Sequence, residues 1–576
     1  MNYAAAIQTT GQIALPAWRS RVLFVMLLAG LAALLLRAIY LQGVNNAFLQ
    51  QKGDARYGRV VDIHAHRGMI TDRHGEPLAV STPVESVWAS PADVEFSMNQ
   101  LLNLAKIVGL TPEELKSRLT DTSREFVYIK RQLPPEQAAK VVKLGIPGVS
   151  LQREYRRYYP GGEVTSHLIG FTDVDDNGQE GIELALQEQL GGKAGSQQVI
   201  KDRRGYIVED VASLRAPKEG SDIALSIDSK IQSLAFREIK QAVEKHRAKG
   251  GSIVVMDART GEVLALANWP SYNSNNREKP GMSVLRNHAV TDLFEPGSTM
   301  KPFTVAAALE AGKVRPGTVI DTAGGVLTLN GRKIHDTHPE RALTVAQVIQ
   351  KSSNVGTAKI ALGLSPETFW RSLNENGFGA LTGSEFPGEA AGKLRDYKKW
   401  RPIEQATMSY GNGISVNLLQ LARAYTVFAN NGELKPVTLR KQETPVAGVK
   451  IYSDATAQEV RDMMETVARP GGTAPLAQIT GYRVAGKTGT AHKLENGKYV
   501  DRYVASFVGM APASDPRLIV AVMIDEPGGR EYYGGLVAAP VFSSVMGAAL
   551  RMLSVPNDAP LDNVMQAPAE IIGEEV

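Results

Sequence analysis

The sequence has no cysteine in its 576 residues. That excludes disulfides, thiolate metal sites and cysteine nucleophiles, and it fits an oxidising compartment. Charge imbalance is also nearly absent: 64 basic and 60 acidic residues leave +4, which implies no nucleic-acid partner. Internal repeats are not visible, and a chain of this length is expected to form several domains, each with its own core. Acidic residues are missing from the first 21 positions, and basic ones from Val555 to Val576, where five acidic residues and three prolines read as a disordered tail.

Val22 to Leu36 is an uninterrupted run of apolar residues and glycine. Continued through Arg37 to Leu41 it covers 20 residues, about the 30 Å of a bilayer core at 1.5 Å per residue. Arg37 can snorkel outward, Trp18 and Tyr40 suit the two interfaces, and Arg19 and Arg21 favour a cytoplasmic N-terminus. A cleaved signal peptide competes with an anchor. The small-x-small candidates, such as Gly30-Leu31-Ala32, lie inside the run rather than after it, which favours an uncleaved anchor.

Three short segments carry the chemistry. Ser298-Thr299-Met300-Lys301 follows Phe294-Glu295-Pro296-Gly297. If Pro296-Gly297 is a turn and Pro302 to Leu309 a helix, Ser298 stands at the helix N-terminus with Lys301 one turn on. A serine hydroxyl is a weak nucleophile until a base takes its proton, and lysine can do so only if desolvation or a nearby cation lowers its pKa. The helix start also offers free N–H groups to a developing oxyanion. Ser298 is the candidate nucleophile and Lys301 its base. By itself the segment reads equally as a capped surface helix with an incidental lysine.

Ser352-Ser353-Asn354 follows a helical pattern, Leu343 to Ile349, and reads as a polar loop between helices. Its hydroxyl can relay protons and its amide can bond both Lys301 and a peptide, although helix capping by Ser352 is the plainer reading. Lys487-Thr488-Gly489-Thr490 precedes alternating apolar residues and reads as an edge strand. There Gly489 lets a substrate backbone approach, Lys487 supplies a positive charge, and Thr488 and Thr490 can hold a terminal carboxylate. An edge lysine that discourages aggregation is the alternative. S-x-x-K, S-x-N and K-T-G in this order form a far rarer set than any one of them.

With these motifs the chain resembles the class B penicillin-binding proteins, most closely the division-type peptidoglycan D,D-transpeptidases of Gram-negative bacteria. Further similar segments occur in family order: Arg67 to Arg73 with Gly75, Arg156-Arg157-Tyr158-Tyr159-Pro160, Gly170-Phe171-Thr172-Asp173, Lys201-Asp202-Arg203 and Tyr532-Tyr533-Gly534-Gly535. Asn412, in Ser409-Tyr410-Gly411-Asn412-Gly413, departs from the tyrosine or glutamine of relatives. The resemblance implies acyl transfer at the D-Ala-D-Ala end of a peptidoglycan stem peptide, with the backbone N–H groups of Ser298 and Thr490 as oxyanion hole. Ser352 would relay the proton to the leaving D-alanine and Asn354 would orient Lys301 and the peptide. Lys487, Thr488 and Thr490 would grip the carboxylate. The acceptor would be a diaminopimelate amine of a neighbouring stem, and β-lactams would enter as substrate mimics. No cofactor and no metal are implied. Partners implied are the inner membrane, a lipid II polymerase and other divisome membrane proteins. An elongation-type transpeptidase, a D,D-carboxypeptidase or β-lactamase-like hydrolase, and a divisome scaffold are the competing readings.

The expected fold is an α+β multidomain chain. Residues 1–21 form a cytoplasmic tail, 22–42 a single transmembrane helix, and 43–220 a mixed α/β, non-catalytic pedestal for dimerisation or partners. Residues 221–555 form the periplasmic transpeptidase domain, with an antiparallel sheet flanked by helices, and 556–576 the tail. Within the pedestal, strands are expected at Ser86–Ala89 and Phe126–Ile129, and helices at Met98–Val108 and Pro135–Leu144. The catalytic domain begins with a strand from Ala224, a helix over Lys230–Lys245 and a strand pair over Ser252–Asn268. Asp173-Val174-Asp175-Asp176-Asn177-Gly178 imitates a calcium loop, but Leu184 stands at position 12, so it reads as a solvated turn. His335 and His338 have no convincing third ligand and read as a polar surface turn. His492 is placed to line the cleft in a structural or substrate-contacting role.

Overall fold

A computed structural model of the chain describes residues 17–46, 58–63, 65–124, 126–201, 207–276, 281–495 and 497–564. The apolar run forms a helix, Ala17–Ile39, followed by a π turn, Tyr40–Val44. None of its residues is buried, and it is long and apolar enough to cross a membrane. Residues 17–21, expected in the tail, are already helical, so Trp18, Arg19 and Arg21 occupy its first turns.

The chain divides into two compact units. The smaller contains residues 1–65, 84–154 and 193–218. In it, Gly58–Ile63, Gly195–Lys201 and Ile207–Arg215 form an antiparallel three-stranded sheet. The helices Met98–Val108 and Pro112–Leu119 begin with capping boxes, Ser97 with Gln100 and Thr111 with Glu114, and Gly109 ends the first at φ +69°. Their apolar faces, with Leu101, Leu104 and Leu115, pack on Val87, Ile129 and Val141. The strands and helices expected here fall at Pro77–Ala89, Val127–Leu133, Met98–Val108 and Pro135–Val142.

The larger unit contains residues 66–83, 155–192 and 219–576, so the stretch expected as one pedestal is split between the two. A buried charge cluster ties residues 66–83 to residues 155–192. Glu183 accepts from Arg67 Nε at 2.7 Å and Arg157 Nε at 2.6 Å, while Arg67 also donates to Gln187 and to the Glu183 and Asp176 carbonyls. Removing Glu183 would leave the buried Arg67 and Arg157 guanidinium groups without their shared carboxylate. Around it Ile70, Leu168, Ile182 and Leu190 belong to the same core as Ile227 and Leu234. Asp176 corrects the expectation of a merely solvated turn. Burial raises its carboxyl to about 6 despite the nearby Arg67 and Arg157.

The catalytic sheet is antiparallel throughout, in the order Val263–Trp269, Gly250–Asp257, Leu518–Asp525, Lys498–Ala511, Ala485–Glu495. Its central strands are almost wholly buried, Ile253 to Met256 and Ile519 to Val522 being fully covered. Helices Ser229–Lys245 and Ala539–Met552 pack on the sheet, and Leu418–Ala424 packs on its two central strands. The strand expected at Ala224 is two residues long and pairs with Ile70–Thr71 instead of joining this sheet. The tail expected to be disordered from 556 is anchored at first. Asp558 accepts from the Arg483 and Ser514 N–H groups and Asn563 from Gly481 N–H, so residues 556–564 lie against the domain; residues 565–576 lie outside the described residues.

Candidate active site

Gly297, at φ +56°, opens a 3-10 turn, Gly297–Met300, which passes into the α-helix Lys301–Glu310. Ser298 therefore lies in the 3-10 turn, ahead of the first α-helical residue expected for it. In a 3-10 turn residues three apart eclipse, so Ser298 and Lys301 share one side more closely than α-geometry would allow. Both are buried, and Ser298 Oγ makes no hydrogen bond to another described group. The turn is held on several sides. Thr299 Oγ1 donates to Pro296 O at 2.7 Å, Tyr425 Oη to Thr299 O at 2.8 Å, and Thr304 Oγ1 to Ser409 O at 2.7 Å. Phe303, one turn along, is wedged among Phe378, Tyr425 and Phe428. Gly411 sits against the turn at φ +95°; a Cβ there would lie 2.2 Å from Gly297 O.

Ser352 and Asn354 occupy a tight junction between helices Val345–Lys351 and Asn354–Leu362. Ser352 ends the first helix in the left-handed region, φ +57°, and Ser353 caps the second by accepting from Gly356 N–H at 2.8 Å. Lys301 Nζ donates to Ser352 Oγ at 2.9 Å and to Ser352 O, which joins the first two motifs directly. Asn354 Nδ2 donates to His335 O at 3.1 Å.

Lys487 to Thr490 lie in the strand Ala485–Glu495, at the sheet edge as expected. Gly489 is forced by packing: a Cβ would meet Ser506 Oγ at 2.5 Å, Pro296 O at 2.8 Å and Thr299 Cγ2 at 3.0 Å. The strand thus lies directly on the turn that carries Ser298. Lys487 Nζ, fully buried, donates to Thr488 Oγ1 at 3.0 Å. Thr488 Oγ1 also shares a hydrogen bond with Thr473 Oγ1 at 2.8 Å. Thr490 Oγ1 accepts from Gly534 N–H at 3.0 Å, so its own hydroxyl proton points elsewhere. Ser298, Lys301, Ser352, Lys487, Thr488, Gly489 and Thr490 are therefore brought together by direct contacts between their segments.

Several residues around them escaped sequence reasoning. Thr473 follows Pro470-Gly471-Gly472, whose turn signal was there to read but carried no chemistry. Glu295, immediately before the turn, accepts from Gly413 N–H at 2.8 Å and Tyr499 Oη at 3.0 Å, and burial raises its carboxyl above the usual range. Burial, followed by the Asp336 charge, pushes the Tyr410 phenol up. Asp336 also corrects the reading of His335 to His338 as a plain surface turn: it is buried and accepts from Ser353 Oγ at 2.6 Å and Val355 N–H at 2.9 Å. The Asn412 N–H donates to Thr407 O at 3.1 Å, beside the Gly411 contact.

A cavity of about 810 Å³ opens alongside, lined by Glu295, Gly413, Ala491, His492, Lys493 and Asp525 among others; Ser298, Lys301 and Lys487 are not in its wall. His492 lies in that wall, and its ring packs on Tyr503 at 4.5 Å, which stacks on Tyr532 at 4.2 Å.

Residues 251–547 match the penicillin binding protein transpeptidase domain and residues 62–225 the penicillin-binding protein dimerisation domain. The chain is 44% identical over 548 residues to the probable peptidoglycan D,D-transpeptidase PenA of Neisseria gonorrhoeae, covering 94% of each. It is 42% identical over 549 residues to the peptidoglycan D,D-transpeptidase FtsI of Escherichia coli K12, covering 94% of this chain and 93% of that one. Among solved structures, the apo transpeptidase domain of Burkholderia pseudomallei penicillin-binding protein 3 is similar at 50% identity and a TM-score of 0.55, covering 58% of this chain and 98% of that one.

Proposed function

The chain belongs to the class B penicillin-binding proteins, the peptidoglycan D,D-transpeptidases, and on that footing we propose how its residues divide the reaction and where it takes place. Ser298 Oγ attacks the carbonyl between the two D-alanines of a donor stem peptide, giving its proton to Lys301 Nζ as the Oγ–C bond forms. Negative charge on the carbonyl oxygen is received by the N–H groups of Ser298 and Thr490. The proton then passes from Lys301 through the Ser352 hydroxyl to the departing amine as the C–N bond breaks. The 2.9 Å bond between Lys301 Nζ and Ser352 Oγ, inside a buried site, is the observation that carries this reading. Lys487 and the Thr488 and Thr490 hydroxyls hold the leaving D-alanine carboxylate, and the free proton of Thr490 suits that role. Asn354 lines the peptide's path. A side-chain amine of a second stem, from diaminopimelate, then attacks the acyl-enzyme and releases Ser298, leaving a cross-link. β-Lactams acylate Ser298 by the same route and stay attached.

The helix Ala17–Ile39 anchors the protein in the inner membrane as a single pass. Arg19 and Arg21 favour a cytoplasmic N-terminus, which puts the catalytic unit in the periplasm. There it works at the division septum beside a lipid II polymerase and other divisome membrane proteins. The test is product analysis. With a D-alanyl thioester donor and a D-amino acid acceptor, the solubilised full chain is expected to yield mainly the exchange product. Free acid dominating at high amine concentration would overturn the transpeptidase reading in favour of a carboxypeptidase.

A further inference from the structure

The strand that carries Lys487 and Thr488 is entered through a turn, Ile479 to Tyr482, whose backbone is held by the last part of the chain. Asn563 Oδ1 accepts from Gly481 N–H at 2.9 Å, and its Nδ2 donates to Ile479 O at 3.2 Å and to Tyr482 O at 3.0 Å. Asn563 thus uses its amide in both senses, which a carboxylate cannot do. Ala559 N–H donates to Gly481 O at 3.1 Å, and Tyr482 Oη to Val555 O at 2.7 Å. Gly481 stands at φ +82°, and a Cβ there would meet Asn557 Nδ2 at 2.9 Å, so the turn and residues 555–563 are fitted to each other.

Asp558 acts just beyond the turn. Its Oδ1 accepts Arg483 N–H at 2.7 Å, and its Oδ2 accepts Ser514 N–H at 3.2 Å and the Ser514 hydroxyl at 2.8 Å. Arg483 leads into the strand Ala485–Glu495 and Ser514 follows its neighbour Lys498–Ala511, so this carboxylate staples the pair at the end nearer Lys487. Upstream, the turn follows the segment of Thr473, whose Oγ1 shares a hydrogen bond with Thr488 Oγ1 at 2.8 Å. The buried Lys487 Nζ donates to the same Thr488 oxygen at 3.0 Å. The turn therefore joins two segments that meet at Thr488, and residues 555–563 close it.

We propose that Asp558 and Asn563 are positioning residues for capture of the leaving D-alanine carboxylate: residues 555–563 form a strap that fixes the turn and the strand end, so that Lys487 and Thr488 meet the carboxylate at a set spacing. This rests on the reading of Lys487 and Thr488 as holders of that carboxylate. Both strap residues act through the backbone of the turn and not on the substrate. The oxyanion side of the site is held by other contacts, Thr490 by the Gly534 N–H and Gly489 by Pro296 O and Ser506. Loosening the strap therefore weakens recognition of the carboxylate and leaves the chemical step unchanged.

The experiment uses the solubilised full chain, a saturating D-amino acid acceptor, and two D-alanyl thioester donors whose leaving groups differ only in ending as a carboxylate or as its amide. Asp558→Ala and Asn563→Asp are compared with the parent; the second keeps the side-chain size but turns a carboxylate oxygen toward the Ile479 and Tyr482 carbonyls. Each is expected to raise KM for the carboxylate donor by roughly 3- to 10-fold, as for a charge-assisted bond partly misaligned, with KM for the amide donor and both kcat values within about twofold of the parent. The two changes lie at separate points of the strap, so a variant that fails to fold leaves the other to decide. Equal rises in KM for both donors, a fall in kcat with KM unchanged, or parent kinetics in a variant whose Tm has dropped would overturn the proposal. Failure of the underlying reading shows up separately, as a parent enzyme with the same KM for both donors.

Discussion

Adding one methyl group at Gly489 should impair the site without touching any group that does chemistry. In Gly489→Ala the new Cβ would lie 2.5 Å from Ser506 Oγ, 2.8 Å from Pro296 O and 3.0 Å from Thr299 Cγ2. Ser506 can turn its hydroxyl to another rotamer. Pro296 O cannot move alone, since it belongs to the backbone of the turn that carries Ser298. Ordinary contact begins near 3.4 Å, so the strand and the turn must separate by about 0.6 Å. Overpacking of this kind costs about 1–3 kcal/mol, which lowers Tm by a few degrees. The functional effect should be larger, because the same gap opens between the Thr490 N–H and Ser298. Misplacement approaching 1 Å costs up to ~10²-fold, so the second-order rate constant for acylation by a fluorescent penicillin should fall by roughly 10- to 100-fold. Acylation at the parent rate with an unchanged Tm would refute the argument that strand and turn are in tight contact. A lost rate accompanied by wholesale loss of fold would instead mean that packing, and not alignment, was the casualty.

Lys301→Arg should be nearly inactive in acylation, because a guanidinium stays protonated and cannot accept the Ser298 proton; acylation at the parent rate would remove Lys301 from the base role. Lys487→Ala should weaken capture of carboxylate-bearing substrates by about 2–3 kcal/mol, the order for a charge-assisted bond in a partly buried cleft, read as a rise in KM for a D-alanyl-D-alanine donor relative to one lacking the carboxylate. His167 is buried, and burial lowers its imidazole to about 4, with its ring nitrogen held by Val284 O at 2.8 Å. The unfolded chain binds that proton near pH 6.5 and the folded one does not. Stability contributed by His167 is therefore full above about 6.5 and lost as pH falls toward about 4, by roughly 3 kcal/mol in all. Melting curves should show this acid limb flattened in His167→Gln, and an identical limb in the variant would assign it to other groups.

Much of the site was legible because the local chemistry required particular residue types in order. A serine, a lysine three positions on, and an edge strand with glycine flanked by hydroxyls are present as read, but Gly489, expected to admit a substrate backbone, is kept bare by the protein's own Pro296 and Ser506. The helix Ser229–Lys245 and the strand pair Gly250–Asp257 and Val263–Trp269 were readable at Lys230–Lys245 and Ser252–Asn268 from local pattern and turn signals. What was not legible depends on contacts between residues far apart in sequence. Asp336, 17 positions from Ser353, looked like part of a histidine-bearing surface turn until the hairpin folded it inward. Arg67 and Arg157 read as motif residues, but only their common partner Glu183 reveals that they tie residues 66–83 to 155–192, and only the core shared with Ile227 and Leu234 joins both to the larger unit. The 3-10 geometry at Ser298 likewise follows from the contacts of Gly411, Tyr425 and Gly489 with the turn, which no local pattern encodes.

Labelled penicillin tests the central claim most directly. The solubilised protein is incubated with it, digested, and the adduct mapped by mass spectrometry. A single stable adduct on the peptide containing Ser298, absent from Ser298→Ala, is the expected result; an adduct on any other residue, or retained in Ser298→Ala, would contradict the assignment of nucleophile and with it the proposed mechanism.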